Sequence, residues 1–369
     1  MKDRIKRIVK GLYLALRKIL FFPVLIFRKP LLPKEGDINT ILLLRHDRLG
    51  DMVVSTAVFE ALKRRFPSSV IIVLASRRNV ELIQSDPAVD EVVVYQGPIR
   101  YYKEFRRKKI DLAIDLFLTY ELKQAFLTML SGARYRLGFE KAGREVFFNV
   151  KGPVVASCRS MKEQLLELLK PLGVSGAGIE PRLVVSEEEK ALAFDYLTSY
   201  GVRKEDLKIA IHPGGFYPSQ RWPADRFVEV AKRCIDRYGA RIILFGDKFD
   251  KELIRDMEEK IGSRCIASDT LSIRQLMASM AQCDLLLCNN SGPLHIAAAL
   301  GVPTVSTLGP TQEVLWSPEG KPNHIVLSAH VPCSPCSRIS CAHHACMEAI
   351  SVDEFMDAVG TQLKRMEKA

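Results

Sequence analysis

Four short stretches of this chain combine the residue types that grip anions and move protons. In Arg45-His46-Asp47-Arg48-Leu49-Gly50-Asp51 a carboxylate follows a glycine where a helix is expected to begin. A buried Asp51 in that place takes a proton from an attacking hydroxyl; the plainer alternative is that it only caps its helix. His212-Pro213-Gly214-Gly215 ends an apolar run in small residues, whose backbone N–H groups suit phosphate oxygens. Gln220-Arg221-Trp222-Pro223 then adds a guanidinium, an indole and a helix-starting proline. Gly246-Asp247 repeats the small-residue theme, and Asp250 is suited to accept hydrogen bonds from ribose hydroxyls. In Asn289-Asn290-Ser291-Gly292-Pro293 a hydroxyl stands at the cap position, ahead of a ring whose missing N–H costs nothing in a first helical turn. The free N–H groups and helix dipole there suit a diphosphate. His295, one turn on, either points back at the same ligand or is a core residue; Asn289 to Gly292 by itself is equally readable as a tight βα turn.

Each stretch needs a strand before it and a helix after it, and the hydrophobic pattern supplies both. Continuous apolar runs predict buried strands at Ile41–Leu44, Val70–Ala75, Glu91–Tyr95, Ile110–Leu116 and Tyr135–Phe139. After Lys170–Pro181, loosened by Gly, Pro and Ser, a second series predicts strands at Leu207–His212, Arg241–Phe245, Arg264–Ala267, Leu285–Leu287 and Val302–Leu308. Helices at Met52–Phe66, Ala224–Tyr238, Phe249–Ile261, Ser272–Gln282, Leu294–Leu300 and Ser351–Lys368 alternate with them. Ser186 with Glu189, and Ser351 with Glu354, form Ser-x-x-Glu helix starts. The expectation is an α/β protein with a basic segment and linker over 1–36 and two Rossmann-like domains over 37–178 and 179–369, facing a central cleft.

Composition narrows the class. At 369 residues, 47% hydrophobic and 26% charged, the chain is an ordinary globular protein too long for one core. Of its net charge of +11, +8 lies in residues 1–30, with nine Lys or Arg and one Asp. That distribution argues against nucleic acid gripped by the whole body and for an anionic surface touched at one end. Ile5, Ile8, Val9, Leu12, Leu16, Ile19 and Leu20 recur at helical spacing, while Arg17-Lys18 and Pro23 interrupt any spanning run. Residues 1–29 therefore read as an interfacial helix on an anionic inner leaflet, with a helix packed on the body as the alternative. Nine cysteines without a cleavable signal indicate a cytoplasmic, reducing setting, with Cys158, Cys234, Cys265, Cys283 and Cys288 in or beside apolar runs. Cys333, Cys336, Cys341 and Cys346, around His343 and His344, have metal-like density, yet only the first CxxC matches zinc spacing. Bound metal and reduced thiols in a compact loop both remain open.

In combination, ILLLRHDRLGDMVVSTAVFEAL, IHPGG followed by RWP, ILFGD, NNSGPLHIAAALGVPTVSTLGPT and CSPC resemble glycosyltransferase family 9, the ADP-heptose:lipopolysaccharide heptosyltransferases and their relatives. The resemblance runs from about Ile41 to Met356. It implies a GT-B fold, with acceptor on the N-terminal side, nucleotide sugar on the C-terminal side, and metal-independent, inverting transfer that needs no cofactor. It implies that Asp51 is the general base, that Asp250 meets the ribose and Leu271 the adenine, and that Ser291, Gly292 and His295 form the phosphate-binding turn. His212, Gly214, Gly215, Gln220, Arg221 and Asn290 complete the expected nucleotide-sugar site. Two positions depart from the family pattern: Gln220 stands where a lysine precedes the basic-Trp-Pro, and Asn290 where an aspartate precedes Ser/Thr-Gly. Arg221 is a guanidinium able to replace the lysine's cation. The implied partners are a nucleotide-sugar donor, read as ADP-linked, and a lipopolysaccharide-core or other lipid-linked acceptor, met by a peripheral enzyme on the cytoplasmic face. A nucleotide-sugar epimerase of similar architecture, and a non-catalytic sugar-nucleotide binder, are the competing readings.

Overall fold

The apolar runs become the central strands of two parallel sheets, each in its own unit, in a computed structural model that describes residues 9, 11–17, 19–21, 31–34, 36–158, 160–268, 270–310, 318, 322–336 and 338–366. The chain divides into Met1–Pro181 and Arg182–Ala369.

In the first unit β1 (Thr40–Leu44), β2 (Val70–Ala75), β3 (Glu91–Val94), β4 (Leu112–Asp115), β5 (Tyr135–Phe139) and β6 (Val150–Gly152) lie in the order β3-β2-β1-β4-β5-β6. Ile41 sits opposite Ile71 on one side and Leu112 on the other, all strands running parallel. Burial on both faces explains why β1 is apolar without alternation. Helix α1 (Leu49–Arg65) covers the sheet with Met52, Val58, Phe59 and Leu62. The helices α2 (Pro98–Phe105), α3 (Leu122–Leu130) and α4 (Met161–Leu168) follow, the last capped by the Ser160 hydroxyl. Strand β6 was not among the expected strands: it has three residues, and Gly152 is required because a Cβ there would meet the Gly138 carbonyl oxygen at 2.2 Å.

The second unit repeats the plan with β7 (Lys208–His212), β8 (Arg241–Phe245), β9 (Cys265–Ser268), β10 (Leu285–Asn289), β11 (Thr304–Leu308) and β12 (His324–Ser328), ordered β12-β11-β10-β7-β8-β9. Its helices are α5 (Glu187–Ser199), α6 (Ala224–Tyr238), α7 (Lys251–Ile261), α8 (Ile273–Met280), α9 (Gly292–Ala299), α10 (Ala345–Glu348) and α11 (Val352–Met366). The Ser186–Glu189 capping box forms, and Arg274 also grips Glu189, holding that carboxyl down at about 2. Strand β12, also unforeseen, lies at a sheet edge and is half-buried throughout. In both sheets the first strand is central and the chain then builds outward in one direction before crossing to the other. That reversal, at β1/β4 and again at β7/β10, opens a crevice beyond the strands' carboxyl ends.

Of the expected amphipathic segment over 1–29, residues 9, 11–17 and 19–21 are described and helical; the rest lies outside the described residues. Val9, Leu12, Leu16, Ile19 and Leu20 are 59–72% exposed, whereas Arg17 is buried against Gly143. Among the described residues no helix is long and apolar enough to cross a membrane.

One ion pair in the first unit is completely buried: Arg144, in the turn after β5, holds Asp115 at the end of β4 and also donates to the carbonyl of Phe117. Removing one member of such a pair strands the other charge. Arg144→Met is therefore expected to cost about 3–5 kcal/mol, read from denaturant unfolding; a loss below roughly 1 kcal/mol would contradict that role.

Candidate active site

Asp51 stands in the first turn of α1, at the crevice of the first sheet. It does not cap the helix: Arg48 occupies the cap position and no side chain caps there. Instead its Oδ1 lies 3.6 Å from a guanidinium nitrogen of Arg45, with the Asp51 side chain 13% exposed. Arg45 is held in turn from three elements. Its Nε donates to Ser55 Oγ on α1 at 2.9 Å, another nitrogen donates to the Leu116 carbonyl beyond β4, and a third donates to Asp47 Oδ2 at 3.3 Å. The Ser55 hydroxyl in turn donates a hydrogen bond to the Asp51 carbonyl at 2.7 Å. Burial drives the Asp51 carboxyl up to about 6; Arg45 opposes the rise, Asp47 adds to it and Arg48 opposes it. The result is a carboxylate that is ionised at neutral pH and still basic enough to accept a proton. Arg45 was not singled out by sequence reasoning, because Leu116 lies 71 residues away and a buried arginine has no local signature.

In the second unit the expected residues gather at the ends of β10, β7, β8 and β9. His212 ends β7 and is buried, its pKa lowered by that burial although Asp250 and Asp247 pull the other way. Asp250, buried at the start of α7, crowds Gly214 so closely that a Cβ there would meet Asp250 Oδ2 at 2.3 Å. The glycine is required by this close approach of a side chain, a reason distinct from room for phosphate. Arg221 donates through Nε to the Gly215 carbonyl at 2.9 Å and reaches Asp250 at 3.9 Å, so guanidinium and carboxylate face one another beside the same loop. Gln220 is half-buried in a short 3₁₀ turn, and Leu271 is half-buried just before the cap of α8.

Ser291 takes the N-cap position of α9 as expected, yet its hydroxyl turns back to the Asn289 carbonyl at 3.3 Å and leaves the helix N–H groups uncapped. Gly292 opens the helix, and Asn290 is buried with its N–H on the Thr307 carbonyl. His295 is half-buried at its surface, but its surroundings hold the imidazole down at about 4, leaving it neutral. The Trp222 indole, next to Arg221 in sequence, belongs to the core: it stacks on Phe355 at 4.8 Å and donates to the Ile350 carbonyl.

The residue that joins these loops is Asn289. Its Oδ1 accepts from the Trp222 N–H at 2.9 Å and from Thr307 Oγ1 at 2.8 Å, while its Nδ2 donates to the carbonyls of Pro213 and Gly214. Two consecutive asparagines after an apolar run were the available signal, but only the second was read as a site residue.

The cysteine-rich loop braces the same region. The Ser219 hydroxyl donates to the Arg338 carbonyl and its N–H to the Ile339 carbonyl, while the Cys336 N–H meets the Pro310 carbonyl. Cys333 and Cys336 are exposed, Cys341 is half-buried and Cys346 is buried, all as free thiols. Among the described residues no group of three or more His, Cys, Asp or Glu is placed to hold a metal ion. A surface depression of about 460 Å³ lined by Arg233, Asp236, Arg237, Asp353, Met356 and Asp357 lies on α6 and α11, away from the strand ends, and Arg233 is already committed to Glu229 and Asp353. Asn289→Leu removes both donors and both accepted bonds in a buried setting. We expect it to destabilise the protein by about 2–4 kcal/mol, measured by chemical denaturation; a change under roughly 1 kcal/mol would show that Asn289 does not tie the loops.

Comparison with known proteins identifies a family. The family described as glycosyltransferase family 9 (heptosyltransferase) matches residues 99–346, about two thirds of the chain. That span takes in the loops of the second unit and begins after Asp51. The chain is similar to the lipopolysaccharide heptosyltransferase 2 of Salmonella typhimurium, at 28% identity over 295 residues, 73% of this chain and 83% of the relative. A glycosyltransferase family 9 structure from Veillonella parvula superposes with a TM-score of 0.79 at 23% identity, covering 90% of this chain and 99% of its own. The ADP-heptose lipopolysaccharide heptosyltransferase II of E. coli does so at 0.75 and 24%, covering 89% and 99%. The fold is that of the GT-B glycosyltransferases, and the chain, a glycosyltransferase, belongs to family 9.

Proposed function

We propose that this enzyme moves a heptose or related sugar from an ADP-linked donor to a lipopolysaccharide-core or other lipid-linked glycan, with inversion and without a metal. The acceptor hydroxyl binds at the crevice of the first unit, where Asp51 takes its proton as the oxygen attacks the anomeric carbon. The new bond forms on the face opposite the diphosphate while the carbon–oxygen bond to that diphosphate breaks. The donor binds at the crevice of the second unit, its adenine beside Leu271, its ribose at Asp250, and its diphosphate at Ser291, Gly292 and His295. The leaving group's growing charge is met by the uncapped N–H groups of α9, with Arg221 assisting.

The observation that carries this reading is the buried carboxylate of Asp51, raised to about 6 yet held beside Arg45. The names of the relatives support the donor and acceptor classes. Gln220 and Asn290 exchange one cation and one anion of the family pattern for two amides, so the local charge sum is unchanged while its distribution is flatter.

Asp51→Asn, assayed with ADP-heptose and a heptose-deficient core acceptor, is expected to lose about 10²–10⁴ in turnover while retaining the thermal stabilisation that the donor gives. In the unmutated enzyme kcat/KM is expected to fall as pH drops through about 6, because the base must be ionised. The same shift has a stability consequence. The folded-state pKa lies above the ordinary 3.8, so the group's contribution to stability is present below that value and is lost as pH rises through about 6. Near-normal turnover in Asp51→Asn would overturn the assignment. Donor turnover without acceptor would indicate an epimerase, and donor binding without turnover on any core acceptor a non-catalytic binder.

On this reading the basic first segment holds the enzyme peripherally on the cytoplasmic face of the inner membrane. Supporting this, Leu12, Leu16, Ile19 and Leu20 face outward rather than into the body. Full-length protein is expected to sediment with phosphatidylglycerol vesicles, less so as salt is raised, and deletion of residues 1–36 to abolish it; undiminished sedimentation of the truncated protein would remove this role.

A further inference from the structure

Arg45 has one nitrogen whose partner is contested. Its Nε is committed to Ser55 Oγ at 2.9 Å and its Nη2 to the Leu116 carbonyl, while its guanidinium carbon lies 5.2 Å from the Phe117 ring centroid. These contacts, from α1 and from the segment beyond β4, fix the plane of the group. The third nitrogen, Nη1, faces two carboxylates at once: it donates to Asp47 Oδ2 at 3.3 Å and stands 3.6 Å from Asp51 Oδ1, beyond hydrogen-bond reach. The Asp47 side chain is 29% exposed against 13% for Asp51, so water helps to carry the charge of Asp47, and the more buried carboxylate is left with attraction but no bond. Other charges nearby, among the described residues, act less or are committed elsewhere. Arg48 of the same loop acts least on Asp51. Asp115, at the end of β4, feels Arg45 but is bonded to Arg144, and Lys123 of α3 acts on His46, which burial keeps neutral.

We propose that Asp47 is a positioning residue for the transfer: by taking the Nη1 hydrogen bond it keeps Arg45 from pairing closely with Asp51. The proposal rests on the transferase reading above and deepens it, giving a role to a residue that acts on the base through Arg45. A general base has to be ionised at its working pH and still strong enough to accept a proton. A carboxylate bonded closely to a guanidinium is ionised but weak, because an opposite charge at that range lowers a carboxyl by about 1–3 pH units, whereas a buried carboxylate with no cation is held protonated. One cation shared between two carboxylates gives the intermediate case. Losing the Asp47 charge acts twice in one direction: it removes a like charge from beside Asp51 and frees the Nη1 N–H for Asp51. Both changes favour the ionised form of Asp51, so the acid limb of the rate profile moves to lower pH and the base that remains is weaker. A role confined to holding the loop would instead lower stability and leave the limb where it is.

The test compares unmutated protein with Asp47→Asn and Asp47→Glu in two ways. One follows kcat/KM against pH with ADP-heptose and a heptose-deficient core acceptor. The other follows the Asp51 carboxyl by carbon NMR in aspartate-labelled protein, with Asp51→Asn identifying its resonance. For Asp47→Asn both midpoints are expected about one pH unit lower than in the unmutated protein, with kcat at the plateau lower by no more than roughly tenfold and donor KM and melting temperature unchanged. Asp47→Glu keeps the carboxylate and is expected to return both midpoints toward about 6. In an Arg45→Met background, Asp47→Asn is expected to move the Asp51 midpoint by less than it does alone, because the two residues act through one contact. The single Asp47 variants decide the matter even where Arg45→Met does not fold. Since the carboxyl resonance needs no turnover, a midpoint that moves as expected in protein without transferase activity leaves the Asp47 arrangement standing and removes the reaction. A midpoint unmoved or raised in Asp47→Asn, an Asp47→Glu that behaves like it, or an equal shift with and without Arg45, overturns the proposal.

Discussion

The first unit depends on a guanidinium taken out of water. Arg45 is 2% exposed, and removing such a charge from solvent costs several kcal/mol unless its donors are satisfied. They are shared among a hydroxyl and a carboxylate of α1, a carbonyl beyond β4 and a carboxylate of its own loop, so the cation stitches together the three segments that border the crevice. Arg144 does the same two strands further out, and Asp115, between them, feels both. A planar fork with fixed donor directions suits this task better than a lysine. The arrangement fixes the loop that carries Asp51 without neutralising Asp51 completely. The longer 3.6 Å approach leaves burial as the larger influence on that carboxyl.

The second unit solves the corresponding problem with no net charge. Asn289 joins four backbone and side-chain groups from two loops and strand β11 through one amide. A carboxylate in its place would accept from Trp222 and Thr307 but would repel the carbonyls of Pro213 and Gly214, and would oppose any anion at the start of α9. An amide offers both donors and an acceptor at no electrostatic cost to the ligand. The two units thus share one topology, while the hub is ionic in the first and neutral in the second.

Much of the framework was legible because buried parallel strands announce themselves as unbroken apolar runs: Val70–Ala75, Tyr135–Phe139 and Arg241–Phe245 have the expected bounds. The misses have physical causes. Strands β6 and β12 are edges, short or half-exposed, and need no strong apolar content. Helix α1 begins at Leu49, three residues before its expected start, because Gly50 reads locally as a breaker while tertiary packing buries it inside the first turn. The loops that bear site residues were found from small and polar residues at strand ends. Their internal wiring was not, since Arg45, Asn289 and Ser219 act through partners 67 to 119 positions distant.

The distribution of thiols bears on chemical modification. Cys234 and Cys265 are pushed up to about 12 by burial, and Cys283 and Cys288 are raised as well, so these sulfurs stay protonated and shielded. Cys341 is the opposite case, its thiolate favoured by the backbone N–H groups of His343 and His344. An alkylating electrophile would therefore partition almost wholly into the loop of Cys333, Cys336 and Cys341. That loop is bonded through Arg338 and Ile339 to the turn ahead of Arg221, so a reporter attached there would sense the loops at the strand ends of the second unit without any engineered cysteine.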